Sequence, residues 1–279
     1  MITFTEQMRV ALLLTGQLRT FDMVKYLHRN NIIQVHDCDI FLSIDCDNRR
    51  QCISMNSSAW TDASRIQEAV NFFQPKDYHV STDYDTEYEQ VLQENDKLDP
   101  KSAVHRLFMQ QYFVVQRAYT MLAEYMQKHD AAYDVIVRLR FDQFLWCSYD
   151  FQKQFQWTEK NGIRYNEHNM AILRDRTAAE AIDFPEVSDK EVYVLGKGML
   201  GHNPYCNDQF FFHHPNLIPT MTRFYDELPE LIANIEQGKN GRLPGFPHIE
   251  NAFYDFLVRH DIDIRVTHLK GVFVRQLVT

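Results

Sequence analysis

Val10-Ala11-Leu12-Leu13-Leu14 runs straight into Thr15-Gly16-Gln17-Leu18-Arg19-Thr20, and this junction decides the fold class. Five consecutive apolar residues without polar alternation read as a strand covered on both faces, as in a parallel sheet. Thr15-Gly16 breaks the run, and Phe21 to Asn30 takes up a helical pattern. A second short run, Asp39-Ile40-Phe41-Leu42-Ser43-Ile44, then ends in Asp45-Cys46-Asp47. Strand, turn, helix, strand is the start of a βαβ pattern. Its polar residues stand at the carboxyl ends of the strands, where open α/β sheets bind ligands.

Working outward, Ser64 to Phe73 reads as a helix and Tyr78-His79-Val80 as a short strand. The acidic stretch from Ser81 to Asp99 reads as a solvated loop or irregular helix. Asp99-Pro100 predicts a helix start, with Asp99 as N-cap and Pro100 in the first turn. Val104, Leu107, Phe108, Val115, Tyr119, Leu122 and Met126 recur at helical spacing, so one long amphipathic helix should reach His129. The clearest strand follows, Tyr133-Asp134-Val135-Ile136-Val137-Arg138-Leu139-Arg140-Phe141-Asp142. Residues 148–190 are mixed and polar and read as an excursion from the core. Val192 to Leu195 is a further strand, 196–207 a Gly-rich loop, and 208–215 a strand or turn opening a helix from about Asn216 to Phe224. A last helix (249–260), a strand (262–266) and a tail complete a single α/β domain.

The 279 residues suffice for one large domain with a substantial core. Apolar residues make up 45% and charged ones 24%, an ordinary globular balance. A formal net charge of −9 argues against nucleic acid as a partner. A phosphorylated ligand would need a local cluster of basic groups and backbone N–H donors. No run approaches the roughly 20 apolar residues of a bilayer span, and Val10–Leu14 is too short for a signal peptide. The five cysteines (Cys38, Cys46, Cys52, Cys147, Cys206) are odd in number and lack CxxC spacing, which points to reduced thiols and a cytoplasmic location.

Five segments can carry chemistry. At Thr15-Gly16-Gln17-Leu18-Arg19, Gly16 permits a sharp turn, freed N–H groups can face an anion, and Arg19 can grip a phosphate; the alternative is a tight turn with a surface arginine. Asp45 and Asp47 can hold a cation or bond a ribose, or simply end a strand. Alternation puts Arg138, Arg140 and Asp142 on one face. They are either an internal ion-pair set or a phosphate clamp (Arg138, Arg140) beside a metal-binding carboxylate (Asp142). Asp208, in Asn207-Asp208-Gln209, can be a general base or sugar-orienting group, or a turn aspartate. His268 and Arg275 in the tail are a possible metal ligand and a possible phosphate contact. The adjacent His213 and His214 point to opposite faces and read as structural.

The ordered set Leu14–Phe21, Asp39-Ile40-Phe41, Tyr133–Asp142, Asn207-Asp208-Gln209-Phe210 and Val274-Arg275 resembles the glycosyltransferase-like proteins of large DNA viruses and bacterial surface-polysaccharide loci. That resemblance implies a GT-A-like, Rossmann-like fold with a mixed, mainly parallel sheet. Residues of about 1–145 would bind the nucleotide sugar, and about 146–279 the acceptor. It implies a hexosyl- or pentosyltransferase moving sugar from a nucleoside-diphosphate donor to a glycan hydroxyl, in the host cytoplasm if the chain is viral. Gly16, Arg19 and Asp45 would contact the nucleotide, and Arg138, Arg140 and Arg275 the phosphates. The family's DxD motif, whose carboxylates bind Mn²⁺ or Mg²⁺, matches Arg140-Phe141-Asp142, where arginine replaces the first aspartate. His268-Leu269-Lys270-Gly271 resembles the HxxG element of glycogenin-like transferases, which would pair His268 with Asp142 at the metal. Asp208 would be the acceptor-side base of an inverting enzyme, or would orient the sugar in a retaining one. A metal-dependent phosphohydrolase or nucleotidyltransferase, and a non-catalytic glycan-binding protein, are the competing readings.

Overall fold

The computed structural model describes residues 8–18, 21–46, 63–146, 157–158, 162–163, 171, 180–200, 203–239, 243–244 and 247–273. Its strands are β1 (Arg9–Gly16), β2 (Asp37–Asp45), β3 (Asp77–Ser81), β4 (Val135–Arg140), β5 (Gln143–Trp146), β6 (Trp157–Thr158), β7 (Gly162–Ile163), β8 (Glu191–Val194), β9 (Lys197–Leu200), β10 (Asn203–Cys206), β11 (Phe210–His213), β12 (Asp263–Val266) and β13 (Lys270–Phe273). The helices are α1 (Phe21–His28), α2 (Ala63–Phe73), α3 (Tyr84–Glu94), α4 (Ala103–His129), α5 (Ile218–Thr222), α6 (Phe224–Glu236) and α7 (Ile249–Arg259). None of the described helices is long and apolar enough to cross a membrane.

Seven strands form the central sheet in the order β12-β8-β11-β4-β1-β2-β3. β1 lies parallel between β2 and β4, and its apolar run is buried on both faces as the sequence requires. Every strand of the sheet runs the same way except β11, which is antiparallel to both neighbours. The sheet is thus mixed and mainly parallel, with helices on both faces, the α/β class expected.

Strand alternation sorts the core into two layers. Ala11, Leu13, Phe41, Ile136 and Phe211 pack with α4, α6 and α7 on one face. Val10, Leu12, Leu14, Leu42, Val137, Leu139 and Phe212 pack on the other, with Phe21 of α1 and Phe73 of α2. The same alternation carries polar residues onto the α4 face where strands end. Thr15 follows Leu13, Ser43 and Asp45 follow Phe41, and Arg138 and Arg140 follow Ile136.

Three local expectations are corrected. The N-cap of α4 is Ser102, whose Oγ accepts from His105 N, while Asp99 closes the preceding turn by accepting from Lys101 N. The acidic stretch holds the regular helix α3, capped by Asp83 and anchored by buried Tyr84 and Tyr88. The Gly-rich loop is the hairpin β9–β10.

Candidate functional site

The site is the carboxyl-end edge of the sheet between β1 and β4, where the strand order reverses direction from β1. Ligands bind open α/β sheets at such a switch point. Thr15 faces Arg140 across the parallel ladder, and Gly16 faces Ile44 on the other side. Gly16 has φ +107°, a value side-chain-bearing residues rarely adopt, and a Cβ there would meet nothing within 4 Å. Glycine therefore serves the turn's backbone conformation, not a close approach.

Asp45, at the end of β2, is buried and accepts from two glutamine amides. Gln17 Nε2 reaches its Oδ2 at 3.1 Å, and Gln110 Nε2 on α4 lies 3.1 Å from both oxygens. Arg138 is 1% exposed. Its Nε donates to Thr15 Oγ1 at 3.1 Å and its Nη1 to the Asp208 carbonyl. Burial pulls its pKa down, and the Tyr112 and Asp208 charges pull it back up; as an arginine it stays charged. Arg138 thus fastens β1 to the start of β11 inside the protein, and its guanidinium is buried there.

Arg140 is more open, and it clasps Asp142 at two points. Nε donates to Oδ1 at 2.9 Å and Nη2 to Oδ2 at 3.1 Å. Beneath this turn, buried His28 donates from Nε2 to the Gln143 carbonyl at 2.8 Å, and burial lowers its pKa to about 4.

Asp208 has no exposed surface. Because β11 is reversed, its beginning lies at the carboxyl ends of the parallel strands, and that brings Asp208 to the same edge. Gln111 Nε2 and Tyr112 OH of α4 donate to its Oδ2 at 2.7 and 3.0 Å. Its Oδ1 is buried with no hydrogen-bond partner among the described residues. Half-buried Glu250, in the first turn of α7, stands within Coulombic range of Asp208 and Arg140. Burial, reinforced by Asp208, raises its pKa to about 7.

Gly16, Asp45, Arg138, Arg140, Asp142 and Asp208 therefore gather at one edge. His268 does not join them. β13 pairs antiparallel with β5, placing Phe273 opposite Gln143 and Lys270 opposite Trp146. Asp142 precedes the first of these pairs, and exposed His268 lies beyond the second, at the far end of the ladder. Arg19 and Arg275 lie outside the described residues. Gln110, Gln111, Tyr112 and Glu250 were not singled out in the sequence. A buried glutamine inside the apolar stripe of α4 was the available signal, since such a residue is rarely buried without a partner.

The donor set does not fit a divalent cation. Both Asp142 oxygens are held by a guanidinium, His268 is remote, and no three His, Cys, Asp or Glu side chains among the described residues could share an ion.

A family model for a domain of unknown function, DUF7796, matches residues 5–181, more than half of the chain. The chain belongs to the DUF7796 family. The matched segment of this DUF7796 chain spans β1 to β4 and the turn that carries Asp142, and it ends before Asp208. No curated protein matches the sequence. Among solved structures, it is similar to a glycosyltransferase involved in the glycosylation of the major capsid of PBCV-1. The identity is 10% over 92% of this chain and 80% of that one, with a TM-score of 0.35.

Proposed function

We propose that the chain is a glycosyltransferase that moves a sugar from a nucleoside-diphosphate donor to a hydroxyl of a glycan acceptor. The observation that carries this reading is the convergence at one switch-point edge of a glycine turn, an accessible arginine and an anchored aspartate. Backbone N–H groups freed at Gly16 and the Arg140 guanidinium suit a diphosphate. Asp45 suits the ribose, with Arg19 and Arg275 as further contacts. Arg138 orders the floor of the site, and Asp208 marks the acceptor side.

Arg140 stands where a metal-binding carboxylate would stand in a DxD motif. The charge that develops on the departing diphosphate is met there by a fixed guanidinium, and Mn²⁺ or Mg²⁺ is not required.

Thermal-shift measurement against UDP, GDP, CDP and dTDP, each with and without Mn²⁺, tests the reading, since a ligand that binds only the folded state raises Tm. Stabilisation by one nucleotide, followed by release of that diphosphate from its sugar conjugate when an acceptor is added, supports transfer. Release of free phosphate or pyrophosphate would point instead to a hydrolase or nucleotidyltransferase.

The full burial of Asp208 favours one second reading, a non-catalytic glycan-binding protein. It would show stabilisation without turnover on any acceptor.

A further inference from the structure

Two consecutive side chains of α4 grip the carboxylates on either side of the site. Gln110 donates from Nε2 to both oxygens of Asp45 at 3.1 Å, and Gln111 donates from Nε2 to Asp208 Oδ2 at 2.7 Å. Asp45 ends β2, and Asp208 stands just before β11. β4 and β1 lie between those two strands, so the carboxylates hang from backbones three strand spacings apart, roughly 14 Å. Neighbouring helix positions point about 100° apart around the axis. From a helix packed on this face, one glutamine therefore reaches towards β2 and the next towards β11.

The two contacts differ in which partner is the more open. Gln110 is 3% exposed and Asp45 7%, so the glutamine is the deeper of the two. Gln17 also donates to Asp45 Oδ2. These neutral amides fix the direction of the carboxylate without cancelling its charge, as a lysine would, and a charged acceptor makes the stronger hydrogen bond to a hydroxyl. On the other side the order is reversed. Asp208 has no exposed surface, and Gln111 is half-buried. A carboxylate only accepts, so the –NH2 end of Gln111 must face Asp208. Oε1, at the other end of the planar amide, faces away from it and accepts from none of the described residues. Tyr112 OH, on the same Oδ2, and Arg138, on the main-chain carbonyl, keep Asp208 from turning.

Resting on the transferase reading above, we propose that these two glutamines set the halves of the site against each other. Gln110 is the positioning residue that aims Asp45 at the nucleotide's ribose. Gln111, aimed by Asp208, accepts a hydrogen bond from a hydroxyl of the acceptor sugar through Oε1. Met109, Tyr112 and Phe113 are buried beside them, so α4 cannot roll without unpacking its own core face. The separation of nucleotide and acceptor is thus a property of one helix.

Gln110→Met and Gln111→Met remove each amide and keep a long unbranched side chain. Gln116→Met is the control, because Gln116 of the same helix bonds Asp226 at 3.1 Å in an exposed pair outside the site. The readouts are calorimetric Kd for UDP, GDP, CDP and dTDP, and kcat/KM towards methyl hexosides and pentosides as acceptor probes at saturating sugar conjugate. Gln110→Met should weaken the bound nucleotide on the order of tenfold, with kcat/KM for the acceptor within about twofold of wild type. Gln111→Met should do the opposite, holding the nucleotide and losing on the order of tenfold in kcat/KM for the acceptor. Gln110→Asn and Gln111→Asn keep the amide but stop one methylene short. They should repeat the two losses even where a methionine variant does not fold.

A mere loss of packing would lower both quantities together, and Gln116→Met should change neither. Joint loss in a glutamine variant, or wild-type values in it, overturns the role given to that residue, while wild-type binding and transfer leave the transferase reading standing. If wild type binds none of the four nucleotides, or transfers to none of the probes, that reading falls and takes the glutamine roles with it.

Discussion

Arg140 and Asp142 face one another through two parallel hydrogen bonds of 2.9 and 3.1 Å, so one guanidinium spans both oxygens of the carboxylate. They are two residues apart, at the end of β4 and in the turn that follows. The fork holds the arginine in one orientation at the edge where a ligand's negative charge would arrive. A guanidinium cannot be chelated away, and it keeps its charge at any pH a protein survives.

Nucleotide binding should therefore be indifferent to EDTA. Arg140→Ala should weaken nucleoside-diphosphate affinity by roughly tenfold or more, since a hydrogen bond to a charged group contributes about 1.5–3 kcal/mol. Calorimetric titration with and without EDTA checks both statements. A strict need for Mn²⁺ would restore a metal to this edge.

Gly16→Ala should lower Tm by a few degrees without disturbing neighbouring side chains. With open space around the missing Cβ, the cost is the backbone strain of φ +107° alone, about 1–3 kcal/mol. Differential scanning calorimetry measures the drop. An unchanged Tm would mean that the turn adopts another conformation.

Arg138→Met should cost about 3–5 kcal/mol, the scale for stripping one partner from a buried charge. It leaves Thr15 Oγ1 and the Asp208 carbonyl without their donors and removes the cation beside a sealed carboxylate. The surface pair Lys97–Glu230 is a control: Lys97→Ala should change stability by less than about 1 kcal/mol. Urea midpoints of the two variants should differ accordingly.

His28 gives stability an acid-side slope. Folded, it holds its proton only below about 4, whereas its ordinary value is 6.5. The unfolded chain therefore binds more protons between those values, and stability falls as pH is lowered from 6.5 to 4. His213 is buried in the same way, also with a value of about 4. In His28→Gln the fall over this window should be shallower than in wild type. Equal slopes would mean that His28 is not buried neutral.

Most of the sheet could be read directly from residue order, because β1, β2 and β4 each contain a short apolar run, Val10–Leu14, Ile40–Leu42 and Val135–Val137. For the same reason the shared edge of the candidate residues Gly16, Asp45, Arg140 and Asp142 was legible, each standing beyond the apolar part of its strand. What escaped came from long-range partners or masked patterns. Buried Tyr84 and Tyr88, with half-buried Val91 and Leu92, form the inward stripe of α3 but sit among acidic residues that hide it. The glycines of the 196–207 segment suggested a loop, yet Gly198 lies in β9 against the Tyr205 ring, where an added Cβ would stand only 3.3 Å away. Gln111 and Tyr112 reach Asp208 only because α4 packs on one face of the sheet, and no local pattern encodes that meeting.

Arg138 also sets an order of events during synthesis. It emerges from the ribosome in a segment that already contains β1, β2 and the whole of α4, but its carbonyl partner at Asp208 is 70 residues further on. Until that stretch arrives, the nascent first half must either leave its central strand edge open to water or bury an arginine donor with nothing to receive it. Chains synthesise N-terminal parts first and fold them as units. Here the first half lacks one carbonyl acceptor for a charged side chain it already contains, so the floor of the site closes only once the reversed strand has been made.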